Sequence, residues 1–265
     1  MSDGHDPQPT GSILAISVGN TNTLLGVCVD GEPLHSVSIA NATPEALPKA
    51  IATLAAEHAV DVAVLASVNR TVSDQLIRTL RTTAEVQVMQ IGTDLGLPLK
   101  HTLEEKAIAK TGQDRLLSAI AGYHIAKQAC VVVDAGTAVT VDFVDGQGTF
   151  HGGAIAPGVR MGLRALHNQT DALPEIEFSA PEADVPYARN TREAMLHGVF
   201  YGVRGLVRQL AERYAIAYDA YPVILATGGD AQALFEGDEL VERIVPDLTL
   251  RGIALAFAAA VEADA

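Results

Sequence analysis

The chain has 265 residues, 48% of them hydrophobic and 19% charged, enough apolar side chains for one large domain or two small ones. A formal net charge of −14 argues against a phosphate-backbone partner, which requires clustered Lys and Arg, and fits a protein that handles small molecules. No stretch approaches the roughly 18 uninterrupted apolar residues of a membrane span, so neither nucleic acid nor membrane is an expected partner.

Met1 to Ser12 is polar and rich in Gly, Pro and Asp, with neither a basic start nor an apolar run. It reads as a disordered tail and not as a signal peptide. Ile13 to Ser17 is a short apolar strand, Val18 to Asn22 a glycine-bearing turn, and Thr23 to Val29 a second strand. Asp30-Gly31 turns the chain into a third strand, Pro33 to Ile39. Ala46 to His58 has helical spacing, Val60 to Ser67 reads as a buried strand, and Ser73 to Thr82 as a helix capped by Ser73 or Thr71. Val86 to Ile91 is another strand. An irregular stretch from Gly92 to Lys110 places a boundary between an N-terminal half, 13–110, and a C-terminal half, 111–265.

The second half repeats the first in kind. A helix from about Gln113 to Gln128 leads into the strand Cys130 to Val133, the turn Asp134-Ala135-Gly136-Thr137, a second strand Ala138 to Val144, the turn Asp145-Gly146, and a third strand near Thr149 to Ile155. Helices follow near Gly158 to Asn168, Thr191 to Ala217 and Gln232 to Phe235, with a strand at Val223 to Ala226 and a closing helix over Leu250 to Glu262. Two copies of one meander, each followed by helix-and-strand segments, imply a duplicated α/β fold with a cleft between its halves. Cys28 and Cys130 lie in strand-like runs and read as buried, reduced thiols, which fits the cytoplasm.

Four segments carry chemistry. Glycine turns let main-chain N–H groups approach a phosphate, and Gly19-Asn20-Thr21-Asn22 adds neutral side-chain donors; alone it is equally an ordinary turn. Asp134-Ala135-Gly136-Thr137 places a carboxylate at a strand end, fit either to hold a cation or to cap the turn. Thr227-Gly228-Gly229-Asp230 allows close approach of a flat ligand such as adenosine, or serves a loop that needs positive φ. Gly112-Gln113-Asp114-Arg115 opens a helix. There Asp114 is favoured by the helix dipole, or acts as a base toward a substrate hydroxyl while Arg115 holds an anionic group. The chain has no Gly-Lys-Thr or Gly-Lys-Ser of a Walker A loop, no His-Glu-x-x-His, no Cys-x-x-Cys and no Gly-x-Ser-x-Gly elbow.

The order of these segments resembles the type III pantothenate kinases, a branch of the actin/hexokinase-like ATPase fold with ribonuclease H-like halves. The family's Asp-x-Gly-Asn-Thr is matched at Ser17 to Thr21, its Gly-x-Asp-Arg at Gly112 to Arg115, and its Asp-x-Gly-Thr-Ala at Asp134 to Ala138. Gly152-Gly153-x-Ile155-x-Pro157-Gly158, the spacing of Thr191, Ala194 and Gly198, and Thr227-Gly228-Gly229 also fit. The resemblance implies transfer of the ATP γ-phosphate to the hydroxyl of pantothenate, giving 4'-phosphopantothenate for coenzyme A synthesis, with Mg²⁺ accompanying ATP. It implies ATP contacts from Ser17, Val18, Gly19, Asn20, Thr21, Asn22, Thr23, Leu24, Thr137, Gly228 and Gly229. Asp114 would be the general base, and Gly112, Gln113, Arg115 and Thr191 would hold pantothenate. Asp134 would bind a monovalent cation (K⁺ or NH₄⁺) in a homodimer. Two positions depart from the pattern: Ser17 stands where the family has Asp, and His101 to Lys110 lacks the Tyr that the family places before the glycine of its substrate motif. A weakened kinase kept as a binding protein, and a kinase of another hydroxy acid, are the alternatives these departures leave.

Overall fold

A computed structural model describes residues 11–43, 45–83, 86–182 and 184–264. Most of the expected tail, 1–10, lies outside the described residues, and Ser12 already opens a strand. In chain order the first elements are β1 (Ser12–Val18), β2 (Asn22–Val29), β3 (Glu32–Ala40), α1 (Ala46–His58), β4 (Val62–Ser67), α2 (Arg70–Thr83), β5 (Gln87–Gln90), β6 (Lys100–His101), α3 (Glu105–Ile108) and α4 (Gln113–Ala126). Then come β7 (Cys130–Ala135), β8 (Ala138–Val144), β9 (Thr149–Pro157), α5 (Val159–Asn168), α6 (Thr191–Tyr218), β10 (Val223–Thr227), α7 (Ala231–Phe235), β11 (Arg243–Ile244) and α8 (Leu248–Asp264).

The chain packs as two units, one formed by the residues up to His124 with those from Asp247 on, the other by Ile125–Pro246. The first unit's sheet runs β3-β2-β1-β4-β5, with β1 antiparallel to β2 and parallel to β4. Leu14, Ile16, Val18, Leu25 and Val27 pack on one face with Leu47 and Ile51 of α1 and Leu76 and Leu80 of α2. Ile13, Ala15, Cys28, Val64 and Ala66 pack on the other with Leu117 of α4 and Leu250 and Ile253 of α8. Side chains alternate across a strand, so a sheet covered on both faces yields the near-continuous apolar runs seen in the sequence.

The second unit repeats this order. Its strands run β11-β10-β7-β8-β9, with β7 antiparallel to β8 and parallel to β10. Val131, Val133 and Ala135 of β7 share one core with Ile224 and Ala226 of β10 and with Phe200, Val203 and Val207 of α6. The duplicated meander is therefore present strand for strand. Ser17 and Asp134 are each the last residue but one of the equivalent strands, β1 and β7.

Helix α2 begins earlier than its sequence suggests. Asn69 caps it, its side-chain oxygen accepting the Val72 N–H at 3.3 Å, while the Ser73 hydroxyl turns back to the Arg70 carbonyl at 3.1 Å inside the helix. Burial pushes the thiols of Cys28 and Cys130 up to about 12, so both stay protonated and unreactive at neutral pH.

Helix α8 packs on α4 through Gly252, where a Cβ would lie 2.2 Å from the Leu117 carbonyl oxygen. Main chain cannot yield as a flexible side chain does. Gly252→Ala is expected to destabilise the protein by about 1–3 kcal/mol, the usual range for overpacking. A lowered urea midpoint at unchanged slope reads this out; an unchanged midpoint would show that the helices separate freely.

Candidate active site

In the first unit, three features meet at the carboxyl ends of β1 and β4, the end of an open α/β sheet where ligands bind. The first is the β1–β2 turn. The Gly19 N–H donates to the Asn22 carbonyl at 2.9 Å, and a Cβ on Gly19 would lie 2.8 Å from that same oxygen, so the turn requires glycine there. Asn20, Thr21 and Asn22 are exposed at its tip. Val18 and Thr23 are buried, at 1% and 0%, and Leu24 is partly buried against the core. Of the phosphate-facing residues expected from the motif, the side chains of Asn20, Thr21 and Asn22 are thus the ones presented. Val18, Thr23 and Leu24 anchor the turn from below, and the Thr23 hydroxyl is taken up by Asn41, a residue outside every motif.

The second feature is Ser17. It pairs across from Leu24 on β2 and Ala66 on β4, and alternation places it on the sheet face shared by Ile13 and Ala15, the face that α4 and α8 cover. The third is the start of α4. The Gln113 side chain spans two strand ends, its oxygen accepting the Ser67 N–H at 3.0 Å and its nitrogen donating to the Ile91 carbonyl at 2.9 Å. Gln113 therefore fixes the helix start, and its amide is spent on main chain. Asp114 follows in the first turn, half-buried, with Oδ1 accepting the Arg115 N–H at 2.8 Å. A Cβ on Gly112 would lie 2.5 Å from that Oδ1 and 3.4 Å from Val68, whose N–H bonds the Val18 carbonyl at 3.0 Å. Gly112 thus sits close to both the Asp114 carboxylate and Val68, the residue that bonds the end of β1.

In the second unit the β7–β8 turn, the start of α5 and the β10–α7 loop gather around Asp134. Gly158 donates its N–H to the Thr137 carbonyl at 3.1 Å, and a Cβ there would fall 2.3 Å from the Gly136 oxygen and 2.6 Å from that of Thr137. Gly228 has φ +94°, and its Cβ would lie 2.5 Å from both the Ala135 oxygen and Asp134 Oδ1. Gly229 faces open space, and Thr137 is exposed. The Asp230 N–H bonds the Ala135 carbonyl at 2.9 Å, and its buried carboxylate pairs with Arg160 of α5, whose guanidinium lies over the Phe178 ring at 5.9 Å. Neither Arg160 nor this role of Asp230 was foreseen, because the pair spans 70 positions of sequence. Among the described residues no group of three or more His, Cys, Asp or Glu gathers as a metal site. The described residues around Asp134 therefore do not form the three- or four-ligand set of a zinc site.

Thr191, the expected pantothenate contact of this unit, opens α6. Asn190 caps the helix, accepting the Glu193 N–H at 2.9 Å, and Glu193 reaches back to the Arg189 N–H at 2.7 Å. The Arg189 N–H and then the Asn190 amide hold the Glu193 carboxyl below the usual range. Thr191 lines an apolar groove of about 770 Å³ between α5 and α6, with Gly162, Leu166, Ala194, Met195 and Gly198.

The type III pantothenate kinase family model matches residues 13–213. A type III pantothenate kinase from Frankia alni is 32% identical over 253 residues, covering 92% of this chain and 98% of its own. One from Gluconobacter oxydans is 44% identical over 144 residues, 54% of this chain and 53% of its own. Among solved structures, a conserved Baf family protein from Campylobacter jejuni superposes with a TM-score of 0.58 at 20% identity, covering 95% of this chain and 100% of that one. Component A of the (R)-2-hydroxyglutaryl-CoA dehydratase from Acidaminococcus fermentans gives a TM-score of 0.52 at 17% identity, covering 94% and 97%. At such identities the likeness speaks to the fold alone. No described helix is long and apolar enough to cross a membrane.

Proposed function

The chain belongs to the type III pantothenate kinase family, and from that premise we propose how its residues divide the work. It is an ATP-dependent kinase of pantothenate, built on the actin/hexokinase-like ATPase fold. In our reading Asp114 takes the proton of the pantothenate hydroxyl as that oxygen attacks the γ-phosphorus, the bond to the β-phosphate oxygen breaks, and ADP leaves. The observation that carries this is the fixed start of α4, where Gly112 and Gln113 hold one carboxylate beside the ends of β1 and β4. Phosphoryl transfer requires chiefly positioning and charge neutralisation, which suits a site built on turns and helix starts.

Asn20, Thr21 and Asn22 of the first turn, with Thr137 of the second, would face the phosphates of Mg·ATP, and Gly228 and Gly229 its adenosine. Arg115 and Thr191 would hold pantothenate, Asp134 a monovalent cation. We place the product in coenzyme A synthesis and the enzyme in the cytoplasm, a setting that its buried, protonated thiols fit. A homodimer is proposed on the support of family membership alone.

ADP release from ATP with Mg²⁺, K⁺ and pantothenate tests the reading; turnover no higher than that of Asp114→Asn would sink it. Ser17 supplies a second test. Its counterpart in the other meander is a carboxylate, and Mg²⁺ prefers carboxylate and water oxygens. Ser17→Asp is expected to tighten Mg·ATP or raise the rate by about tenfold, equal to about 1.4 kcal/mol. A fall in activity instead would mean that the serine belongs to a working design of its own.

A further inference from the structure

Asn41 follows directly on β3 and belongs to no motif. Its main-chain N–H and both ends of its side-chain amide go to the β1–β2 turn. The side-chain nitrogen donates to the Gly19 carbonyl at 2.8 Å, the main-chain N–H to the Thr21 carbonyl at 2.9 Å, and the side-chain oxygen accepts the Thr23 hydroxyl at 2.8 Å. One residue thus grips the entry, tip and exit of the turn, which the Gly19 N–H already closes on Asn22.

The grip requires a donor and an acceptor on one short planar group, which among side chains of this length only asparagine supplies. Thr23 is wholly buried, so the exit is anchored in the core. Asn20, Thr21 and Asn22 are left exposed on an arc whose ends cannot move independently. A loop ordered in advance loses less freedom when a ligand lands on it, and the gain goes to whatever touches that loop.

We propose that Asn41 is a positioning residue for the nucleotide phosphates, acting through the Gly19–Thr23 turn and not by touching ATP. The inference rests on the reading of that turn as phosphate-facing. It makes Asn41 a determinant of Mg·ATP affinity with no part in holding the acceptor.

The test compares Asn41→Asp and Asn41→Ala with the wild type and with Asp114→Asn. Aspartate keeps the acceptor for Thr23 but sets an oxygen against the Gly19 carbonyl; alanine removes both arms. Equilibrium dialysis gives the Kd for Mg·ATP without any acceptor, steady-state assays give KM for ATP and for pantothenate, and thermal melting reports folding. The expected result is a Kd for Mg·ATP about tenfold weaker in Asn41→Asp, with KM for pantothenate within about twofold of wild type. Adenosine, which lacks phosphates, is expected to bind both proteins alike. If Asn41→Asp does not fold, Asn41→Ala carries the same comparison on its folded fraction. Lowered melting with unchanged Kd for Mg·ATP would overturn the proposal, as would a parallel rise in both KM values. Loss of turnover in Asp114→Asn beside wild-type affinity in Asn41→Asp would overturn it while leaving the kinase reading intact. A wild type that binds Mg·ATP yet phosphorylates no pantothenate would defeat the acceptor reading alone, and the Kd comparison would still decide the role of Asn41.

Discussion

Asp114→Asn is expected to lower kcat for pantothenate phosphorylation by about 10²–10⁴, equivalent to about 3–5 kcal/mol of barrier, with the Kd for Mg·ATP within about threefold of wild type. The substitution is nearly isosteric. An amide oxygen can still accept the Arg115 N–H that now binds Oδ1 at 2.8 Å, so the first turn of α4 keeps its shape. Gln113 continues to tie the helix to Ser67 and Ile91. On the proposed mechanism, what is lost is the capacity to take a proton from the acceptor hydroxyl. The competing explanation of Asp114 is electrostatic: a negative charge in the first helical turn complements the dipole and contributes about 0.3–1 kcal/mol of stability. That explanation predicts a slightly lower melting temperature and nearly full activity. Single-turnover measurement with saturating ATP and pantothenate separates the two, and retention of more than about a tenth of the wild-type rate would move the proton acceptor elsewhere.

The meanders were legible in the sequence because their signals are local. Asp30-Gly31 and Asp145-Gly146 mark the hairpin turns, and the apolar runs beside them have strand length. The equivalence of Ser17 and Asp134 followed from that repeat, and the two strand ends agree residue for residue. Parts of the site carried usable signals that pattern matching alone passed over. Thr23 alternates with Leu25 and Val27, which already places its hydroxyl on a core face and not at the tip of the turn. Other parts left no local trace. The Arg160–Asp230 pair and the grip of Asn41 on Gly19 join residues 70 and 22 positions apart, and no periodicity encodes them. The division between units was hidden for a similar reason. Helix α8 is apolar nearly throughout, and only its packing on β1 and α4 shows that the chain returns to the first unit after Pro246.

Gly228→Ala is expected to weaken Mg·ATP by about 10–100-fold and to destabilise the second unit by about 1–3 kcal/mol. At φ +94° the residue occupies backbone space that side-chain-bearing residues avoid. The added Cβ would also fall 2.5 Å from the Ala135 oxygen, 2.6 Å from its carbonyl carbon and 2.5 Å from Asp134 Oδ1. Two of those three atoms are main chain, and the Ala135 oxygen is the acceptor for the Asp230 N–H at 2.9 Å. Relief must therefore shift either the end of β7, which carries the Asp134 carboxylate, or the loop that would receive adenosine. Gly229→Ala provides the contrast, since a Cβ there meets nothing within 4 Å. It is expected to leave the melting temperature unchanged, so any rise in its KM for ATP reports how closely the nucleotide approaches that position. Equal, small effects from both substitutions would mean that the loop moves freely away from β7. In that case Gly228 would serve only the turn, and the adenosine would have to be held elsewhere.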